Sequence, residues 1–134
     1  MELRGPGVVA TFTASGNMNT DALQYRFVMQ AAGVNEDVFI ATTSGSPAVV
    51  GVNVDKALDN DPVRVVADGF TKIRLASSLG AAIWITTDGA GYAIQYTGQS
   101  GAACLGRLYT GATSGTPGEM IFRHGPLTSS VAVV

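Results

Sequence analysis

Turn-forming residues interrupt this chain roughly every 8 to 12 residues, a spacing that leaves room for short strands and little room for helices. The breaks are Ser15-Gly16-Asn17, Ala32-Gly33, Ser44-Gly45-Ser46-Pro47, Asp59-Asn60-Asp61-Pro62, Asp68-Gly69, Asp88-Gly89, Thr97-Gly98 and Thr116-Pro117-Gly118. The runs between them are rich in Val, Ile, Thr, Phe and Tyr, side chains that suit a pleated, half-buried surface. They predict strands near 8–13, 25–30, 37–42, 48–53, 62–67, 70–75, 82–87, 91–96, 102–109 and 119–123. No window keeps a 3.6-residue apolar period for the length of a helix. Short helical turns are expected at Asn19 to Leu23, with Asn19 or Thr20 as N-cap, and at Ala76 to Leu79. The expectation is an all-β fold, a compact small barrel or sandwich of short antiparallel strands and hairpins.

Two hairpins anchor that expectation. In the first, Val63, Val65 and Ala67 alternate with Arg64, Val66 and Asp68, and Asp68-Gly69 is a strong two-residue turn signal. On the return, Thr71, Ile73 and Leu75 alternate with Phe70, Lys72 and Arg74. A sheet period of two then places Arg64, Lys72 and Arg74 on one face and the aliphatic set on the other. The second hairpin runs from Ala82 to Tyr96 around Asp88-Gly89-Ala90-Gly91. Its core candidates are Ile83, Ile85, Ala93 and either Ile94 or Trp84.

At 134 residues the chain has the size of one domain, since two separate cores would each be marginal. Residues 1–134 are read as a single unit with an N-terminal arm over about 1–8 and a C-terminal tail over about 125–134. Gly5, Pro6 and Gly7 argue against a central strand at the start. An apolar β-prone tail after Pro126 calls for cover by a core or by another chain. Residues 1–7 carry no apolar segment of the secretory type. The longest strongly apolar stretch, Ala81 to Ile85, falls far short of the roughly 20 residues that span a bilayer. A soluble protein with no membrane partner is expected.

Chemistry is hard to place on these residues. Charged side chains make up 13% of the chain and the formal net charge is −2, too little positive charge for a nucleic-acid binder that works by neutralising phosphates. His124 is the only histidine and no Gly-x-Ser-x-Gly elbow accompanies it, which disfavours a hydrolase triad. Cys104 stands alone between Ala103 and Leu105, as a small buried hydrophobe would, so neither a disulfide nor a Cys-rich metal site is available. Asp55, Asp59 and Asp61 lack the Gly and closing Glu of a calcium loop and fit turn chemistry better. Gly111-Ala112-Thr113-Ser114-Gly115 lacks the Lys of a phosphate loop and reads as a hairpin tip. No enzyme, no cofactor and no metal are expected.

The order of segments resembles a known family. It begins with Tyr25-Arg26-Phe27-Val28 and continues through Ala48-Val49-Val50-Gly51-Val52, the polar loop from Asp55 to Pro62, and Val63 to Lys72. Ile85-Thr86-Thr87-Asp88-Gly89-Ala90-Gly91, Cys104-Leu105-Gly106-Arg107-Leu108 and Gly118-Glu119-Met120-Ile121-Phe122 follow. Taken together, these resemble the small capsid decoration, or cement, proteins of tailed bacteriophages. The resemblance covers about three quarters of the chain, from Leu23 to Gly125, and departs from the family at Lys56-Ala57-Leu58-Asp59-Asn60.

It implies a β domain that binds the outside of a phage capsid as a trimer and reinforces the lattice of the major capsid protein. Such a protein would be made in the host cytoplasm and would reside on the virion surface. Candidate capsid contacts are Leu3, Arg4, Val8, Val9, Arg64, Lys72 and Arg74. The alternative is a head-fibre or surface module that binds host glycans on an exposed aromatic platform drawn from Tyr25, Trp84, Tyr92, Tyr96 and Tyr109.

Overall fold

The computed structural model describes residues 6–30 and 37–127. It contains nine strands: β1 (Pro6–Ala14), β2 (Phe27–Gln30), β3 (Asp37–Ile40), β4 (Val49–Asn53), β5 (Pro62–Arg74), β6 (Ile83–Thr87), β7 (Ala93–Gln95), β8 (Cys104–Thr110) and β9 (Pro117–Leu127). One 3-10 turn, Asp21–Leu23, follows Thr20 as its N-cap. The all-β expectation holds, and the architecture is a barrel. Strands β1, β3, β2, β4 and β5 pair in that order, and β1 pairs back onto β5 to close the ring. Closure removes the free edges that an open five-stranded sheet would present. The β1–β3 pair is parallel; the other pairs are antiparallel.

From the barrel, β5 continues into a second sheet in the order β5–β9–β8–β6–β7. The two halves of β5 serve two cores. Val63 and Val65 project into the barrel beside Met18, Val28 and Val38. Ile73 and, just past the strand, Leu75 lie on the same side of the chain but belong to the core under the second sheet, with Ile85, Leu108, Met120 and Phe122. Strand β2 sits between the cores: Phe27 faces the second and Val28 the first, and both are fully buried. That is why this stretch is apolar at consecutive positions rather than alternating. The Phe27 and Phe122 rings, 6.2 Å apart between centroids, tie barrel to sheet.

Several expectations need correction. Asp68-Gly69 is no hairpin turn: residues 62–74 form one strand, in which Gly69 pairs with Pro6 of β1 and with Phe122 of β9. Gly69 has φ 108, a conformation open to glycine, and here that freedom bends a strand where the sequence signal indicated reversal. Residues 76–79 form no helical turn; Leu79 bridges Ala112 in an extended segment. Tyr25, expected in a strand, adopts φ 63, and β2 starts only at Phe27. β1 begins at Pro6 and β9 reaches Leu127, so residues 6–8 and 125–127, assigned above to arm and tail, are strand residues. The second hairpin forms as expected, with Thr87 opposite Ala93 and Ile85 opposite Gln95. Ile85 and Ala93 are core, whereas Trp84 and Ile94 are both only half-buried.

Candidate functional site

The basic residues on β5 part company in the fold. Arg64 pairs with Asp55, whose carboxylate accepts from Nη2 at 2.8 Å, from Nε at 3.0 Å and from the Arg64 backbone N–H at 3.0 Å. The guanidinium holds the Asp55 carboxyl below its ordinary range. Arg74 is spent on backbone: Nε donates to the Gln24 carbonyl at 2.9 Å, Nη1 to Gly115 at 3.0 Å, and Nη2 to Asp21. It fastens the 3-10 turn and the β8–β9 loop to the end of β5. Lys72 keeps an exposed side chain, with its ammonium 5.6 Å from the Tyr25 ring centre. Val8 and Val9 pair with Asp68 and Val66 across a bulge that leaves Ala67 of β5 unpaired, and these two adjacent valines are 52% and 44% exposed. Leu3 and Arg4 lie outside the described residues.

The aspartates of the 55–61 loop also separate. Asp55 serves Arg64, and Asp59 Oδ1 accepts the Gly16 N–H at 2.8 Å. Asn60, with φ 71, turns the chain between Asp59 and Asp61 and donates its N–H to the Ala14 carbonyl at 2.8 Å. Among the described residues no group of three His, Cys, Asp or Glu stands together as metal ligands would. Cys104 is fully buried, and burial pushes its thiol pKa up. The backbone of His124 lies within β9. Among the described residues no helix is long and apolar enough to cross a membrane.

The five candidate platform aromatics are likewise dispersed. Tyr92 lies under Arg26, whose guanidinium carbon is 4.0 Å from the ring centre and which also donates to the Tyr92 hydroxyl. Arg26 further donates to the carbonyls of Ala22 at 2.8 Å and Ala90 at 3.0 Å, so this nearly buried cation pins two loops. Tyr96 is buried and Tyr25 is half-buried beneath Lys72. Trp84 and Tyr109 remain, and both project from the outward face of the second sheet.

That face holds the most coherent surface feature. Cross-strand registers place Phe70 of β5 opposite Ile121 of β9, Ile121 opposite Arg107 of β8, and Arg107 opposite Trp84 of β6. The four side chains therefore form one row across four strands. The Arg107 guanidinium lies 5.8 Å from the Trp84 ring centre, and Phe70 meets Tyr109 edge-on at 5.6 Å. Ala81, Ala82, Arg107, Tyr109 and Ile121 line an open groove of about 370 Å³ beside the row. Gly106 permits the close approach of β8 to β9: a Cβ there would sit 2.1 Å from the Ile121 carbonyl oxygen. Phe70, Arg107, Ile121, Ala81 and Ala82 were not singled out from the sequence. Alternation marks Phe70, Arg107 and Tyr109 as outward, but only the pairing of strands far apart in sequence assembles them.

No model of a known protein family matches the chain, and no curated protein matches it. Among solved structures, the chain is similar to the head fibre gp8.5 N base of bacteriophage phi29. The two share 17% sequence identity with a TM-score of 0.64, over 90% of this chain and 97% of that one. The likeness is one of fold across nearly the whole of both chains.

Proposed function

We propose that this chain is a structural virion protein of a tailed bacteriophage, mounted on the outside of the head, where it binds the major capsid protein lattice and stabilises it. The observation that carries the reading is the shared fold with a head-fibre base over 90% of the chain. It agrees with the segment order that resembles capsid decoration proteins, obtained from the residues alone. The chemistry fits as well: a surface with few charges and with exposed Val8, Val9 and Tyr109 suits contact with other protein chains. Assembly as a trimer would repeat each weak contact threefold, so avidity could replace strength in any single one. No catalysis, cofactor, nucleic acid or membrane enters this reading.

Purified protein mixed with heads that lack it should co-sediment to saturation, and sedimentation equilibrium should give a trimer. A protein that stays in the supernatant at all concentrations would contradict capsid binding. A second reading, a head-fibre module that binds host glycans, is favoured by Trp84 and Tyr109 sharing one outward face. Retention on a glycan array together with failure to pellet with heads would select it.

A further inference from the structure

We propose that the outward face of the β5–β9–β8–β6 sheet, centred on Arg107, is the surface that meets the capsid protein, and that it takes an acidic side chain flanked by an apolar one. The proposal rests on the capsid-binding reading above and adds the face and the chemistry of the partner.

The composition of the row comes first. Phe70, Trp84 and Tyr109, with Arg107 among them, are residue types concentrated at the centres of protein–protein interfaces, and Ile121 adds apolar area to the row. They stand on strands rather than on loops, so their spacing is fixed before a partner arrives.

Charge selects the kind of partner. The cross-strand neighbours of Arg107 are Ile121 and Trp84, neither of which carries charge. One row away Lys72 stands opposite Glu119, and Asp68 and Arg123 are exposed at the other side. Among the described residues this face carries three cations, Lys72, Arg107 and Arg123, against two carboxylates, in a chain whose formal net charge is −2. The Arg107 guanidinium lies within cation–π range of Trp84, 5.8 Å from the ring centre, and a guanidinium offers paired N–H groups that match the two oxygens of a carboxylate.

The groove then separates a protein partner from a saccharide. Ala81, Ala82 and Ile121 offer no side-chain hydrogen bonds and only Arg107 and Tyr109 of the lining do, so the groove suits an apolar side chain better than a ring of hydroxyls. An aliphatic or aromatic side chain placed next to the carboxylate fills such a groove well. Val8 lies opposite Asp68 and extends the same face, so one of the exposed valines joins the contact.

The test uses full-length protein and purified heads that lack it, with apparent affinity read by co-sedimentation near physiological salt. Arg107→Glu and Trp84→Ala should each weaken binding by about tenfold or more, and Arg107→Lys by less than Arg107→Glu. Lys56→Glu, which makes the same charge change away from this face, should stay within about twofold of wild type. Thermal melts confirm that each variant folds; if Trp84→Ala does not, the two Arg107 variants carry the test. Wild-type binding with Arg107→Glu unchanged overturns the proposal and leaves capsid binding standing. A wild type that never pellets with heads overturns both. If Arg107→Glu alters only the oligomeric state, the face joins copies of this chain; if it abolishes retention on acidic glycans instead, the face reads saccharide. Either outcome defeats the proposal.

Discussion

Arg26 and Arg74 fasten together segments that are distant in sequence, and Arg64 holds the nearby loop at Asp55. Arg26 is nearly buried, donates to the carbonyls of two loops and stacks on Tyr92. Arg26→Ala would leave the Ala22 and Ala90 carbonyls without their guanidinium donor and remove that stack, so a loss of about 2–4 kcal/mol in urea unfolding is expected. Asp55 has its pKa held down by Arg64 in the folded state. Its contribution is therefore present above the ordinary aspartate value near pH 4 and is lost as pH falls through the lowered folded value. Asp55→Asn should be less stable than wild type at neutral pH, and the gap should shrink below about pH 4; urea midpoints at several pH values read it directly. Cys104, buried and with a raised pKa, should react with a thiol reagent only at the rate at which the protein opens. Rapid labelling of the native protein would contradict its placement in the core. These roles differ in how far the sequence reveals them. The burial of Cys104 is readable from Ala103 and Leu105, whereas the partners of Arg26, at Ala90 and Tyr92, lie more than sixty residues away and leave no local trace.

At the scale of elements, strand composition and turn spacing fix the class of fold and most strand positions, because alternation and turn chemistry are local properties. The Asp88-Gly89 hairpin forms as read, with Asp88 Oδ1 accepting the N–H groups of Ala90 at 2.8 Å and Tyr92 at 2.9 Å. Asp68-Gly69 carries the same dipeptide and does the opposite. There β1 and β9 hold the strand on either side, and glycine's positive φ is absorbed as a bend. The dipeptide supplies the conformation; the neighbouring strands decide its use. The row of Phe70, Ile121, Arg107 and Trp84 is illegible for a related reason, since two of its three registers, β5 with β9 and β6 with β8, join strands that do not follow one another in sequence. Gly106 is the element-level test of that row. A methyl group at Gly106 would collide with the Ile121 backbone at a φ of 153 that side chains rarely adopt, so Gly106→Ala should cost about 3 kcal/mol or more in urea unfolding. An unchanged midpoint would mean that β8 and β9 do not approach as closely as described.

At the scale of the whole molecule, the closed barrel supplies rigidity and the sheet grown from β5 supplies a surface. Among the described residues, Val8, Val9 and Tyr109 are exposed, and buried Arg26 and Asn53 hold loops in place through bonds to backbone carbonyls. The proposed role, a protein that acts by being attached to a shell, is supported by the fold likeness to a head-fibre base and by a segment order that resembles decoration proteins. The most direct measurement is a cryo-EM reconstruction of phage heads saturated with this protein. The expected result is density outside the shell, into which the barrel fits with Trp84, Arg107 and Tyr109 turned toward the capsid protein. Heads without added density, or density that fits only with that face toward solvent, would contradict the account.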